Sequence, residues 1–254
     1  MKVISFSLNG KMAHFRKYYS NSTALSYFIP PVTTVKGIIA GLIGFERDEY
    51  YDLFSNNKCK ISIAVEEPIK KITQTMNLLK IEKPNDLNGS GKNRTQNNME
   101  FVVPKNIRNG QISYNITFYR SNNAIMKQLE SLICTGNKYY FSSGISFALG
   151  SAQCLGWISN GKCVEAKEFL SYGEPVYIYG AIDKEQIKKI ELTDSGNLFL
   201  AKEETITEFD SNRLITENSK KDIIINLSDA PILVRLKIGA NYYDIENKKI
   251  FFVG

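Results

Sequence analysis

His14 is the single histidine of a 254-residue chain, so acid–base chemistry by an imidazole near neutral pH must use it. It stands in Ala13-His14-Phe15-Arg16-Lys17-Tyr18-Tyr19, where cations and flat rings are interleaved. That mixture suits a phosphate backbone with unstacked bases. Past Pro30-Pro31, Thr33 or Thr34 can cap a short helix whose first N–H groups would face an anion. Further on, Ser143–Trp157 carries Gly144, Gly150 and Gly156 among small hydroxyl residues, a loop able to bring backbone donors close to a phosphate. It lacks the Lys-Ser/Thr ending of a P-loop, and a dinucleotide site is unsupported. No Asp, Glu and His cluster suggests a two-metal nuclease. Cys59, Cys134, Cys154 and Cys163 form no C-x-x-C pair, which argues for free thiols and against zinc. No cofactor or metal is expected.

The elements that must hold these residues follow from periodicity. Lys2–Leu8 alternates as a strand. Val35, Ile38, Ile39, Leu42 and Ile43 recur at helical spacing, predicting a helix over Thr34–Ile43, with Gly37 and Gly41 on one face for close approach of another backbone. Lys58–Glu66 and Gln111–Arg120 alternate again, Asn123–Cys134 reads as a helix, and Lys138–Phe147 supplies a fourth strand. The order β-α-β-β-α-β is the ferredoxin-like unit of an α+β protein, an antiparallel sheet with two helices on one face and the other free for RNA or a second layer.

An insertion, about residues 75–110, interrupts this unit. Its middle, Asn85 to Asn98, is polar and glycine-containing, which marks a functional or disordered stretch. Its flanks Met76–Ile81 and Met99–Val103 can pair as the stem of a long hairpin. From about Ser159 the text becomes short strand-like runs (Pro175–Tyr179, Leu198–Ala201, Asp222–Leu227, Ile232–Ile238, Lys249–Val253), with a brief helix at Asp183–Ile190. The expected division is therefore a ferredoxin-like domain over residues 1–157 and a small β-rich domain over residues 158–254.

Charge separates the two parts. Residues 1–150 carry 19 Lys+Arg against 10 Asp+Glu, and residues 151–254 carry 13 against 16. The first part is suited to a polyanion and the second to a protein partner or a stabilising role. With 43% hydrophobic and 23% charged residues, no membrane-length apolar run and no basic-then-apolar leader, the expectation is a cytoplasmic globular protein.

Gly10-Lys11, Ala13-His14-Phe15-Arg16, Tyr27 to Gly37 and Gly44 to Tyr51, in this order, resemble the amino-terminal signature of the CRISPR-associated protein five family. These are Cascade subunits of the RAMP superfamily, and the wording is closest to type I-B members. The resemblance is dense over about the first fifty residues. It implies an RNA-recognition-type fold, with the insertion as a thumb that reaches over the guide and wedges at its 5′ tag; Phe101 and Met99 are the candidate wedges. It further implies a glycine-rich loop, matched by Leu149-Gly150-Ser151. Implied partners are the CRISPR RNA, the backbone subunit (family seven) and the large subunit (family eight), with contact to target DNA left open and cutting left to family six.

On this reading Lys11, Arg16, Lys17 and Lys36, with Lys92, Arg94, Lys105 and Arg108 on the thumb, contact phosphate. Thr33, Gly144 and Gly150 offer backbone or cap donors, and His14 and Phe15 pack or stack beside the tag. The expected role is a non-catalytic RNA cap. The type I-C branch cuts guide precursors with a Tyr/Lys/His set whose histidine lies downstream of the first helix. No histidine follows residue 14 here, so that set does not carry over; Tyr50 or Tyr51 with Lys36 would be its remnant. Two alternatives stay open, a metal-independent endoribonuclease and a stand-alone single-strand RNA-binding protein.

Overall fold

The computed structural model describes residues 1–88, 94–135, 148–192 and 198–254. The expected strand Lys138–Phe147, Lys92 and Gly144 lie outside them. Alternation over the first residues makes β1 (Lys2–Gly10), with Ile4, Phe6 and Leu8 on one face and Ser5, Ser7 and Asn9 on the other. There follow β2 (Phe15–Arg16), β3 (Ser26–Tyr27), α1 (Val32–Leu42), β4 (Cys59–Val65), β5 (Ile69–Leu79), β6 (Arg94–Pro104), β7 (Ile112–Arg120), α2 (Asn123–Ile133) and β8 (Gly156–Glu165). β4, β7, β1 and β8 pair in that order as an antiparallel sheet. The strand on the far side of β1 is thus Gly156–Glu165, which runs across the expected boundary between residues 157 and 158.

α1 starts earlier than expected. Pro31 occupies its N-cap, with no side-chain cap bond, and its carbonyl accepts from Thr34 N and Val35 N at 2.9 and 3.1 Å. Thr33 and Thr34 therefore sit in the first turn and cap nothing. Asn122 does cap α2, its side chain accepting from Ala124 N at 2.8 Å. Both helices put their apolar stripes on one side of the sheet: Val35, Ile39, Leu42, Leu129 and Leu132 join Ile4, Phe6, Leu8, Ile116 and Phe118 in the core. Each such burial is worth about 1.5–3 kcal/mol. Gly37 makes room for the Tyr50 hydroxyl, 2.8 Å from where a Cβ would stand, rather than for another backbone.

The opposite face of the sheet carries Ser5, Ser7, Asn9, Ser62, Ser113 and Thr117, all buried. They are held by hydrogen bonds among themselves and their neighbours, such as Asn9 Nδ2 to Ser159 Oγ at 2.9 Å and Ser113 Oγ to Glu66 Oε2 at 2.7 Å. A cavity of about 630 Å³ separates this face from Tyr179, Ile245, Lys248 and Ile250. Of the two uses expected for this face, RNA or a second layer, the structure shows the second layer, formed by the C-terminal part, and the small polar side chains offer no stacking platform.

Among the described residues, the C-terminal part is β structure with one 3-10 turn. Its strands are β9 (Lys167–Leu170), β10 (Pro175–Ile178), β11 (Ile182–Asp183), β12 (Ile187–Ile190), β13 (Leu200–Ile206), β14 (Lys220–Asn226), β15 (Ile232–Leu236), β16 (Asn241–Ile245) and β17 (Lys248–Ile250). They form three sheets, ordered β10-β15-β12, β11-β14-β13 and β17-β16-β9. The helix expected over Asp183–Ile190 is instead the 3-10 turn Lys184–Gln186 running into β12. Asp183 caps that turn through Glu185 N at 2.9 Å, and β12 then pairs with β15. Ile178, Ile182, Ile223 and Val234 belong to the same core as the first sheet. Gly180, at φ +92°, permits the join, because a Cβ there would stand 2.6 Å from Ile63 O.

Candidate nucleic-acid interface

β5 and β6 leave the sheet as a hairpin with eleven residues per arm, from Ile69 opposite Pro104 to Leu79 opposite Arg94. At strand rise this is about 35 Å of projection. The stem begins at Ile69, earlier than the sequence suggested. β6 is edged on its other side by the basic-aromatic loop. Ala13 exchanges bonds with Val102 at 2.9 and 2.8 Å, Ala24 N donates to Asn98 O at 2.9 Å, and Glu100 N donates to Ala24 O at 2.9 Å. Ser26 N adds a bond to Glu100 Oε2 at 3.0 Å.

The glycine-containing segment closes on the same loop. His14 N donates to Leu149 O at 2.9 Å, and Gly150, at φ +93°, lies so near that a Cβ would overlap the His14 carbonyl. Only glycine meets both conditions. Together the loop, the start of α1, the hairpin and the glycine segment enclose a cleft of about 370 Å³. His14 and Arg16 come from the loop, Thr34 from α1, Leu78 and Asn97 from the hairpin, and Gly150 and Ser151 from the glycine segment.

Within the cleft His14 is buried and its Nδ1 stands 2.7 Å from Glu100 O. Arg16 is exposed, one guanidinium nitrogen donating to Ser20 O at 3.0 Å. Phe15 is buried edge-on against Tyr114 and packs rather than stacks on a ligand. Lys17, expected on a phosphate, is drawn instead to Glu203 of β13 at 3.2 Å. Burial opposes its charge, but Glu203 and the Tyr19 hydroxyl outweigh it and raise its pKa. The Glu203 side chain, 2% exposed, also holds Lys71 at 3.2 Å and accepts from Phe28 N at 2.8 Å.

Lys36, expected at the phosphate-contacting surface, is buried. Its Nζ donates to Asn56 Oδ1 at 2.7 Å and Thr207 O at 2.8 Å, and burial pushes its pKa down. Thr33, Lys36, Tyr50 and Tyr51 do meet, in a hollow of about 10 Å³, room for roughly one water and no nucleotide. Burial pushes the Tyr50 hydroxyl up to about 12.

The remaining cations divide. Arg94 is exposed at the far end of β6, one register step beyond the pair Leu78–Thr95. Lys11, Lys105 and Arg108 are exposed at the hairpin root: Lys11 Nζ donates to Gly110 O at 3.2 Å, and Lys105 Nζ lies 4.6 Å from the Phe199 ring centre. Met99, opposite Gln74 midway along the stem and in the cleft wall, and Phe101, opposite Ile72, are both buried, so neither projects as a wedge. The exposed apolar side chains toward the tip are Leu78, Leu79, Ile81 and Leu87. Sequence reasoning missed them, although two leucines bordering a polar stretch were a usable signal. It also missed Asn21, Ser22 and Asn97, which line the cleft but carry no pattern. Among the described residues no three His, Cys, Asp or Glu side chains converge as metal ligands, and no helix is long and apolar enough to cross a membrane.

No protein-family description matches the chain, and no curated relative does. Its fold is similar to that of a CRISPR protein from Archaeoglobus fulgidus, known from a crystal structure, with a TM-score of 0.60 at 12% identity over 98% of each chain. A chain of the Type III-B Cmr-beta complex bound to cognate target RNA and AMPPnP aligns with a TM-score of 0.47 at 11% identity, over 92% of this chain and 86% of that one. A chain of a CRISPR RNA-guided surveillance complex aligns with a TM-score of 0.42 at 11% identity over 91% of each. The first shows a shared fold.

Proposed function

We propose that the protein is a non-catalytic RNA-binding subunit of a type I CRISPR surveillance complex, holding the 5′ tag of the mature CRISPR RNA. The observation that carries this reading is the cleft, where the basic-aromatic loop, the hairpin and the glycine segment meet although they are far apart in sequence. Support also comes from the signature-like residues 10–51, from the fold shared with a CRISPR protein, and from a β-α-β-β-α-β sheet order compatible with a ferredoxin-like RAMP domain. The hairpin is the thumb in this reading, and its exposed leucines are the wedge. The backbone subunit (family seven) and the large subunit (family eight) are the partners the resemblance supplies.

Binding is favoured over cutting because strand cleavage needs a base for the 2′-hydroxyl and an acid for the leaving oxygen. Among the described residues that line the cleft, Arg16 is the charged side chain, and a guanidinium holds its proton too tightly to serve as that acid. The decisive experiment incubates the purified protein with tagged CRISPR RNA and with repeat RNA in EDTA. Intact RNA, a mobility shift on tagged RNA and a crosslink to the His14–Arg16 segment are expected. A discrete cut lost in His14→Ala would transfer the assignment to the endoribonuclease. Equal binding of untagged RNA, unaffected by Cascade partners, would transfer it to a stand-alone RNA-binding protein.

A further inference from the structure

We infer that His14 is the residue by which the cleft tells ribose from deoxyribose. The inference rests on the RNA-binding reading above and names the group recognised. Glu100 O can only accept, so the 2.7 Å contact requires the proton on Nδ1. In the neutral ring the distal nitrogen Nε2 is then a bare acceptor. Among the described residues no protein group hydrogen-bonds it, and it is not one of the fully buried unpaired atoms, so on a residue only 4% exposed that lines the cleft it keeps an edge open to a ligand. The backbone bonds of Ala13 to Val102 and of His14 to Leu149 hold the ring in place. Nε2 is therefore a fixed acceptor waiting for a donor from the ligand.

The cleft narrows what that donor is. A phosphodiester has no proton to offer, and neither has the 2′ carbon of deoxyribose. The ribose 2′-hydroxyl has one, and it is the group by which proteins separate RNA from DNA. Arg16, two residues along the same extended segment, is on the same face as His14 and is the cleft's charged group, fit for one phosphate. Asn21, Ser22, Asn97 and Ser151 are neutral. A cation and an acceptor spaced along one strand match a phosphate and a nearby sugar hydroxyl of a single nucleotide. A site built around such an acceptor penalises the analogue that lacks the donor, because the bound ligand then covers the nitrogen and leaves it unpaired.

The test is a scan of single 2′-deoxy substitutions through a fluorescein-labelled tag RNA, read by anisotropy with the full-length protein. The partner is His14→Asn, whose amide can keep the bond to Glu100 O while the distal nitrogen is gone. Its melting temperature and circular dichroism check the fold. One position should lose about ten-fold in affinity with the wild type and nothing further in His14→Asn, and all-DNA should bind both proteins alike. A flat scan, or the same loss in both proteins, overturns the inference and leaves RNA binding standing. Loss on removing a base amine instead of a 2′-hydroxyl also overturns it, placing His14 on a base. Failure of every oligonucleotide to bind removes the RNA-binding reading and this inference with it.

Discussion

Gly150 is the residue on which the cleft closes, because its φ of +93° and its approach to the His14 carbonyl leave no room for a Cβ. Gly150→Ala should therefore lose at least about 2 kcal/mol of stability, seen as a lower urea midpoint, and weaken RNA binding. An unchanged midpoint would mean the glycine segment is not seated on the loop. Lys17 makes a different point. A lysine beside two tyrosines looked like a phosphate ligand, yet it neutralises a carboxylate of the distant β13, and only the folded chain brings Glu203 there. Lys17→Met should cost about 1–3 kcal/mol of stability and leave RNA affinity nearly unchanged. Because its folded pKa is raised above the ordinary lysine value of 10.5, the bridge contributes fully below pH 10.5. It is lost as pH climbs through the folded value. Wild type and variant should thus differ by a constant amount from pH 7 to about 9 and converge at higher pH, measured by urea unfolding across that range.

The hairpin, as an element, has a root and a tip with opposite roles. Phe101 at the root is buried in the core, so Phe101→Ala should cost about 3 kcal/mol or more. The tip residues Ile81 and Leu87 are 52% and 68% exposed and contribute little to the fold. Replacing residues 80–93 by an Asn-Gly turn should change stability by less than about 1 kcal/mol and reduce tag-RNA affinity about ten-fold. Retained affinity would separate the hairpin from RNA binding. Elements with one clean period were legible in the sequence: β1 by its alternation, and α1 and α2 by stripes that the core confirms. β8 was not, because Asn160 at φ +54° and a shift in its pairing with β1 between Ser5 and Ser7 break the alternation of a half-exposed strand. Asp183–Ile190 misled because a capped 3-10 turn and a strand were fused into one apparent helical period. The cleft was legible in its parts, since its loop and glycine segment were singled out; their meeting depends on backbone pairing between distant segments, which has no local pattern.

At the scale of the whole molecule, the excess of cations over residues 1–150 overstates what faces a polyanion. Lys17 and Lys71 are paired with Glu203, Lys36 is buried against neutral acceptors, and Lys11, Lys105 and Arg108 lie at the hairpin root. Among the described residues expected on phosphate, that leaves Arg16 near the cleft and Arg94 toward the tip. Each single-strand phosphate contact contributes about −0.7 to the slope of log K against log salt. Two contacts predict a slope near about −1.4, a loss of roughly seven-fold between 50 and 200 mM salt. If the root cations also touched the strand, five contacts would give a slope near about −3.5 and a loss of more than about a hundred-fold. Anisotropy titrations of tag RNA at several salt concentrations decide between them. Arg16→Ala and Arg94→Ala should each flatten the slope by about 0.7, and Lys17→Met and Lys105→Ala should leave it unchanged. A steep slope flattened by Lys105→Ala would extend the RNA path from the cleft along the hairpin to its root.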